Sequence, residues 1–260
     1  ANPQDKWAGK SWSPMLPDSA YARSMVEGQT WQLNLAGMGT KFPFQLPSSG
    51  PSYYAAMLRS PYGDEATLDF ARAAIEGESL GRNPAGATDL LGISLSTHDY
   101  INHSFGPESR VSHDHVLRVD RLLADFFNYL DRRVGADKYV VALTSDHGFM
   151  NAPEYSNLIG VTAERLSSGT LMKELNAVLA KRFKVEGNLA AKFSFPTIIL
   201  DQSLIAKSAL NKTEVESAAQ SFLQSYSSVA AVFTRTQLEA GTLPDNAYKT
   251  PVLRSWNKDL

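Results

Sequence analysis

The sequence predicts an α/β fold in which helices flank a mostly parallel sheet, with a small α+β subdomain after it. Two short apolar runs, 90–96 and 139–144, are typical of strands that are buried on both faces. Between them, apolar residues recur at helical spacing from Val111 to Leu130. Strand, helix and strand make a βαβ unit, so the two strands are expected to be parallel.

The bulk composition narrows the possible partners. With 260 residues, the chain can bury one large core, or one core and a satellite. Its net charge of -2 gives no indication of a nucleic-acid groove or an anionic membrane surface. No apolar run is long enough to span a bilayer. Cysteine is absent, so a transition-metal site would have to be built from histidine and carboxylate.

The patterns divide the chain into three regions. Residues 1–63 hold seven of the thirteen prolines and three tryptophans, which predicts a loop-rich covering segment rather than long helices or disorder. The tryptophans are expected to pack in the core, although a substrate-binding wall is the alternative. Residues 64–160 form the α/β core with the site. Residues 161–260 predict a small α+β subdomain and return segment, with helices near 171–183 and 213–226.

Two helices of the core have recognisable ends. Asp64 is the expected N-cap of the first helix, and Gly81 its C-terminal signal. Pro107 and Ser109 suit the start of the second helix, and Gly135 suits its end. In the last region, strands are expected at 192–200, interrupted by a proline, and at 229–233.

Acidic and imidazole side chains follow both predicted strands. Asp99 and His103 come after the first, and Asp146, His147 and Gly148 come after the second. Because the carboxyl ends of parallel strands open on one side of a sheet, the two acids and two histidines are expected to converge. Carboxylate and imidazole are the ligands that zinc accepts when no thiolate is present. The alternative is a pair of strands that end in polar turns.

The motif Asp99-x-x-x-His103, followed by residues 105–107 and later by Thr144-Ser145-Asp146-His147-Gly148, resembles the alkaline phosphatase superfamily. Within it, the sequence is similar to the type I phosphodiesterase and nucleotide pyrophosphatase family, and to the bacterial PafA-type alkaline phosphatases. The similarity extends upstream through residues 61–65 and the helix at 73–76, and it is specific over residues 60–150.

In that family, two zinc ions flank a phosphate ester. The resemblance implies that Asp99 and His103 bind one zinc ion and that Asp146 and His147 bind the other. It also implies hydrolysis of phosphate monoesters by a periplasmic or secreted enzyme whose substrate is a phosphate ester. Phosphodiester hydrolysis, or a non-catalytic binding protein of the same fold, stays open as an alternative. Two close cations can hold both the attacking and the leaving oxygen of an in-line displacement.

Several positions depart from the family pattern or lie beside it. Asn102 stands where a glycine is common, and His98 is not expected. His98 is either a third ligand, a hydrogen-bond partner of a ligand, or a structural residue. Asp114 is expected behind the ligands or on the helix face, and His113 and His115 on the helix surface.

The resemblance also implies groups that residues 1–260 do not provide. The family has a Thr or Ser nucleophile and a further Asp on an earlier strand, basic residues that grip the phosphate, and another His downstream. No Ser or Thr within residues 1–60 has the strand-to-helix setting that would activate it. We therefore expect these residues to be an internal piece of a longer enzyme and the isolated chain to be inactive.

Overall fold

The computed structural model describes residues 6–84 and 86–258, which form two units. The first unit comprises the described residues up to Thr162, and the second begins at Ala163. The first unit holds the predicted site and is built from the following elements: β1 (Ser11–Trp12), a 3-10 turn (Asp18–Tyr21), β2 (Phe44–Gln45), α1 (Gly50–Met57), α2 (Pro61–Gly77), α3 (Thr97–Phe105), α4 (Arg110–Arg133) and α5 (Pro153–Leu158).

The N-terminal part of this unit packs as ordered turns around an aromatic core. Strands β1 and β2 pair antiparallel, which places Trp12 opposite Phe44. Both rings are fully buried and share a cluster with Phe105 of α3 and Val111 of α4. Trp7 is also buried. The prediction of core packing is therefore confirmed for Trp7 and Trp12, and this packing holds the segment against the helices that carry the site.

Helix α4 follows its predicted bounds. It begins after Ser109, whose side chain accepts a hydrogen bond from the Ser112 backbone N–H and so satisfies one free donor of the first turn. Its apolar stripe packs on α2, where Leu68, Ile75 and Phe126 are buried together. The sequence pattern was sufficient here because capping and periodicity are local.

Helix α2 begins earlier than predicted. Its N-cap is Ser60, and Pro61 occupies the first position, where a missing N–H costs no hydrogen bond. Asp64, the predicted cap, lies inside the first turn and is almost fully buried, with 1% of its surface exposed. Its carboxylate accepts a hydrogen bond from the Thr97 backbone N–H of α3 instead.

The predicted parallel strands are not formed within the described residues. Segments 90–96 and 139–144 have no regular secondary structure, and the sheets that the described residues form are antiparallel pairs. Leu90 and Val140 are each 96% exposed. A strand needs a hydrogen-bonded neighbour, and the described chain places none beside these segments. The predicted parallel pairing of strands 90–96 and 139–144 is therefore wrong for this part of the chain, and their near neighbourhood, the alternative to pairing, stays a prediction.

The second unit has its own apolar core. Its elements are α6 (Ser168–Phe183), β3 (Ala190–Ser194), β4 (Thr197–Leu200), α7 (Gln202–Lys207), α8 (Lys212–Leu223), α9 (Arg235–Ala240) and α10 (Lys249–Ser255). One buried cluster contains Leu175 and Leu179 of α6, Val215 of α8, and Leu189, which directly precedes β3. The Asn211 side chain caps α8 by accepting hydrogen bonds from two backbone N–H groups.

Two strand predictions in this unit need correction. Residues 192–200 form a hairpin rather than one strand, with Phe195 and Pro196 in the turn between β3 and β4. Proline lacks a backbone N–H and so suits a turn better than a ladder. The segment 229–233 is not a strand. Across the described residues, no helix combines the length and apolar character needed to cross a bilayer.

Candidate metal centre

Helix α3 presents Asp99 and His103 on one face. The two residues are four apart, so they are neighbours one helical turn apart. His103 Nε2 lies 3.5 Å from Asp99 Oδ2. The helix is short and half-buried: Ile101 and Phe105 pack into the aromatic core, which leaves the opposite face to the acid and the imidazole. This placement follows from the spacing alone.

Asp146 and His147 lie on the irregular segment that follows α4. The His147 backbone N–H donates to Asp146 Oδ1 at 3.1 Å, and His147 Nδ1 lies 3.0 Å from the Gly148 carbonyl oxygen. A carbonyl can only accept, so Nδ1 carries the proton, and neutral His147 has its lone pair on Nε2. The Gly148 hydrogen bond raises the pKa of His147, and the Asp146 and Asp99 carboxylates raise it further.

The four predicted residues come together although the outermost of them, Asp99 and His147, are 48 positions apart along the chain. His147 Nε2 lies 3.5 Å from Asp99 Oδ1 and 3.7 Å from Asp146 Oδ2. The Asp99 carboxylate therefore lies between two imidazoles, with one oxygen facing each. The Phe149 ring contacts both histidine rings, at centroid distances of 5.2 Å to His103 and 5.3 Å to His147.

The donor set and its spacing fit zinc. Ligand atoms that share one tetrahedral zinc ion at about 2.0–2.1 Å lie about 3.3–3.4 Å apart. The 3.5 Å between Asp99 Oδ2 and His103 Nε2 is closer to that value than to a hydrogen bond of about 2.9 Å. Asp99 Oδ1 is buried and has no hydrogen-bond partner among the described residues, which is a costly state for a carboxylate oxygen. A cation beside it would remove that cost.

The set is nevertheless incomplete as a zinc site. Within residues 6–84 and 86–258, no three or more His, Cys, Asp or Glu side chains are grouped so that they could hold one ion. Two donors per ion are fewer than the three or four that zinc usually has. The four side chains thus form two pairs, each with one acid and one imidazole, which are here called half sites.

An open pocket borders His103. Its volume is about 470 Å³, and its lining includes Asn34, Arg59 and Tyr100 as well as His103. The Arg59 guanidinium lies over the Tyr100 ring at 4.8 Å, a cation-π contact that holds the positive charge beside the site. Arg59 was not among the residues that the sequence pattern suggested.

Asp114 does not contact the predicted metal ligands and does not lie on the exposed surface of α4. It is fully buried and accepts hydrogen bonds from Trp12 Nε1, the Met15 backbone N–H, Tyr21 Oη and Arg118 Nε, all at 2.6–2.7 Å. Burial alone raises the pKa of Asp114, but the donors outweigh it and hold the pKa below its usual value. Its role is to fix the N-terminal segment on α4.

His115 is also placed differently from the prediction. It is fully buried, whereas His113 is half-buried and its Nδ1 lies 2.9 Å from Ser24 Oγ. His115 follows Val111 by four residues and so falls on the apolar face of α4. That spacing was the signal in the sequence that could have revealed a buried imidazole. Its partners are Asp64 and His98.

Comparison of the fold and of the family places the chain in the alkaline phosphatase superfamily, a class of phosphoric ester hydrolases. The crystal structure of wild-type alkaline phosphatase PafA superposes with a TM-score of 0.82 at 30% identity, covering 98% of this chain and 48% of that chain. A PafA mutant gives a TM-score of 0.83 at 29% identity. The predicted alkaline-phosphatase-like fold class is thereby confirmed.

The chain belongs to the type I phosphodiesterase / nucleotide pyrophosphatase family, whose model matches residues 3–190. Among curated relatives, alkaline phosphatase PhoV of Synechococcus elongatus is 29% identical over 97% of this chain and 45% of its own length. Alkaline phosphatase PafA of Elizabethkingia meningoseptica is 30% identical over 95% of this chain and 44% of its own. Alkaline phosphatase PhoK of a Sphingomonas species is 36% identical over 74% and 34%. The chain therefore spans less than half the length of these relatives.

Proposed function

We propose that the complete protein is a zinc-dependent phosphomonoesterase of the alkaline phosphatase type. In this proposal, Asp99 and His103 hold one zinc ion, and Asp146 and His147 hold the other. The observation that carries it is the position of the Asp99 carboxylate, with each oxygen 3.5 Å from a different imidazole Nε2. The names of the relatives and the family support the same reaction class.

The residues of this chain have distinct tasks. When bound, the two ions supply Lewis-acid charge to the attacking and leaving oxygens of the phosphoryl group. The Gly148 carbonyl fixes the tautomer of His147, so that Nε2 is unprotonated and its lone pair is available to a metal ion. Phe149 restricts the orientation of both imidazole rings. The pocket beside His103 gives room for the alcohol part of the ester, with the Arg59 charge at its wall.

The remaining groups belong to other parts of the protein. We infer that the nucleophile, further metal ligands and the phosphate-gripping cations lie outside residues 1–260, since the chain spans less than half the length of its relatives. The two half sites alone are expected to bind zinc weakly. The proposal includes a phosphate-ester substrate and a periplasmic or secreted location, which cell fractionation tests.

The test is hydrolysis of p-nitrophenyl phosphate with added zinc, by the full-length protein and by the 260-residue chain. We expect turnover by the full-length protein, its loss on chelation and its return with zinc. Asp99→Ala and Asp146→Ala should each lower kcat/KM by at least about 10²-fold, because each removes a metal ligand. Asp120→Ala, an exposed acid of α4, is the matched control and should leave the rate unchanged.

Three outcomes would contradict the proposal. Turnover by the isolated chain that Asp146→Ala abolishes would show that the nucleophile lies within it. Full activity after metal removal would exclude the zinc ions from the reaction. No turnover of any ester by the full-length protein would favour a non-catalytic binding protein.

Phosphodiester hydrolysis is the second candidate, because the family is named for phosphodiesterases. Bis-p-nitrophenyl phosphate distinguishes the two. A higher kcat/KM for the diester than for the monoester would assign the protein to that branch, with the same four residues as ligands.

A further inference from the structure

Three side chains form a line that leads from the interior to helix α3. Asp64 of α2 and His115 of α4 are 1% and 0% exposed, and Asp64 Oδ2 lies 3.2 Å from His115 Nε2. Neither atom makes a hydrogen bond within the described residues, so this 3.2 Å approach is an electrostatic contact. His115 Nδ1 in turn lies 3.2 Å from His98 Nδ1, on the first turn of α3. Each buried polar atom therefore depends on the next one in the line.

The geometry of the two rings suits a hydrogen bond within one plane. The imidazoles of His98 and His115 are inclined by only 19°, and their centroids are 5.3 Å apart. That separation is close to the nitrogen–nitrogen distance plus the two ring radii, so the rings meet edge to edge rather than face to face. In such a contact, one of the two facing nitrogens must donate and the other must accept, so the tautomer of one ring sets the tautomer of the other.

The carboxylate sets that direction. A carboxylate only accepts, so the buried Asp64 oxygen favours the His115 tautomer that carries its proton on Nε2, the nitrogen facing it. Neutral His115 then has its lone pair on Nδ1, which accepts the proton-bearing Nδ1 of His98. His98 is thereby held with its own Nε2 unprotonated, and its ring is fixed in orientation relative to α4.

A second contact joins the same elements. Asp64 Oδ1 accepts a hydrogen bond from the Thr97 backbone N–H at 3.3 Å. The neighbouring Gly63 has no room for a side chain, since a Cβ there would lie 2.8 Å from Thr97 Oγ1 and 2.7 Å from the Met57 carbonyl oxygen. The first turn of α3 is thus tied to α2 directly and to α4 through His115. Asp99 is the next residue of that turn.

We propose that Asp64 and His115 are positioning residues of the candidate metal centre. Through Thr97 and His98 they fix the first turn of α3, and so hold the Asp99 carboxylate between the imidazoles of His103 and His147. This inference rests on the proposed function, because it gives the line of residues its purpose. Asp64 lies 35 residues before Asp99, and His115 lies 16 residues after it. Their positions in the sequence do not suggest this role.

The first test reads the tautomers in the whole 260-residue chain by ¹⁵N–¹H NMR of the imidazoles. In the wild type, we expect His98 to carry its proton on Nδ1. Asp64→Asn keeps an oxygen for Thr97 but replaces the other oxygen with a donor, so His115 and then His98 should reverse, with the His98 proton on Nε2. Asp120→Asn makes the same change on the surface of α4 and should leave the tautomers unaltered.

The second test reads the metal centre. The signals of His103 and His147 are followed as zinc sulfate is added, and the apparent affinity is expected to fall about tenfold in Asp64→Asn and stay unchanged in Asp120→Asn. His115→Phe keeps the core filled but removes both ring nitrogens, so it should give the same loss and leave His98 with Nε2 protonated. This variant and the wild-type tautomer decide the question if Asp64→Asn does not fold.

The outcomes separate this inference from the proposed function. A wild-type His98 protonated on Nε2, or an unchanged zinc affinity in both variants, would overturn the positioning role while the zinc site stands. Full activity of the full-length protein after metal removal would overturn the proposed function, and the positioning role with it.

Discussion

At the scale of single residues, Asp114 shows how one buried charge can organise a long segment. Its two oxygens collect four donors, three of which come from residues 12–21. Because the segment has little regular structure of its own, these contacts and the burial of Trp12 replace a hydrogen-bond ladder. The buried carboxylate is tolerated because its lone pairs are satisfied and Arg118 balances its charge.

Replacing Asp114 should therefore lower the free energy of unfolding substantially. Asp114→Asn turns one acceptor oxygen into a donor that faces other donors, so we expect the free energy of unfolding to fall by about 2–4 kcal/mol. Urea denaturation measures the change. The exposed Asp120→Asn should stay within about 0.5 kcal/mol of the wild type. A loss of the same size in both variants would show that net charge, and not the local donors, is responsible.

The same residue predicts a pH dependence. The pKa of Asp114 is lowered in the folded chain, so its contribution is fully present above the unfolded-state pKa and is lost as the pH falls through the folded-state value. The difference in unfolding free energy between the wild type and Asp114→Asn should thus narrow on acidification, as the pH falls through the ordinary aspartate pKa of 3.8 and below it. A difference that widens as the pH falls would have the wrong sign for this explanation.

At the scale of elements, the close approach of α2 to the start of α3 sets the position of the candidate site. Gly63 lies where the two helices meet, and both Asp64 contacts begin one residue later. Gly77, at the other end of α2, has open space around its missing side chain. One helix thus contains a glycine that packing requires and a glycine that it does not.

These two glycines form a matched pair for mutation. Gly63→Ala should lower the free energy of unfolding by about 1–3 kcal/mol, since the new methyl group would press on the Met57 carbonyl and Thr97. Gly77→Ala should leave it unchanged or raise it by about 0.4–1 kcal/mol, because alanine loses less backbone entropy on folding. Urea denaturation of both variants provides the measurement. Equal effects at the two positions would contradict the required contact.

At the scale of the whole molecule, the chain is two units, each with buried clusters of its own. The second unit surrounds its core with α6, α8 and the β3–β4 hairpin. It contains no histidine, so the candidate chemistry of the chain lies in the first unit.

Leu175 is the central test of the second core. It is fully buried in α6, and Leu175→Ala should lower the stability of this unit by about 2–5 kcal/mol through lost contacts and a cavity. Hydrogen exchange measured by mass spectrometry should then speed up in α6 and α8. Leu253→Ala in α10, where the leucine is 43% exposed, is the control and should change exchange much less. Unchanged protection in the Leu175 variant would mean that this cluster does not hold the unit together.

The sequence by itself determined the features that depend on near neighbours. The bounds of α4 followed from its apolar period and from Ser109, because helical hydrogen bonds and caps join residues three or four apart. The pairing of Asp99 with His103 followed from the Asp99-x-x-x-His103 motif, and α3, a helix that the sequence analysis did not predict, places the two one turn apart. The family resemblance then indicated which distant residues, Asp146 and His147, belong with them.

Only the tertiary structure decided what depends on distant neighbours. The apolar runs at 90–96 and 139–144 predicted strands, but strands exist only through partners, and the described chain places none beside them. Asp64 has a cap-like sequence context, yet its partner is His115, 51 residues away. A side chain's local pattern sets its element and its face, whereas the packing of whole helices decides which buried donor meets which acceptor.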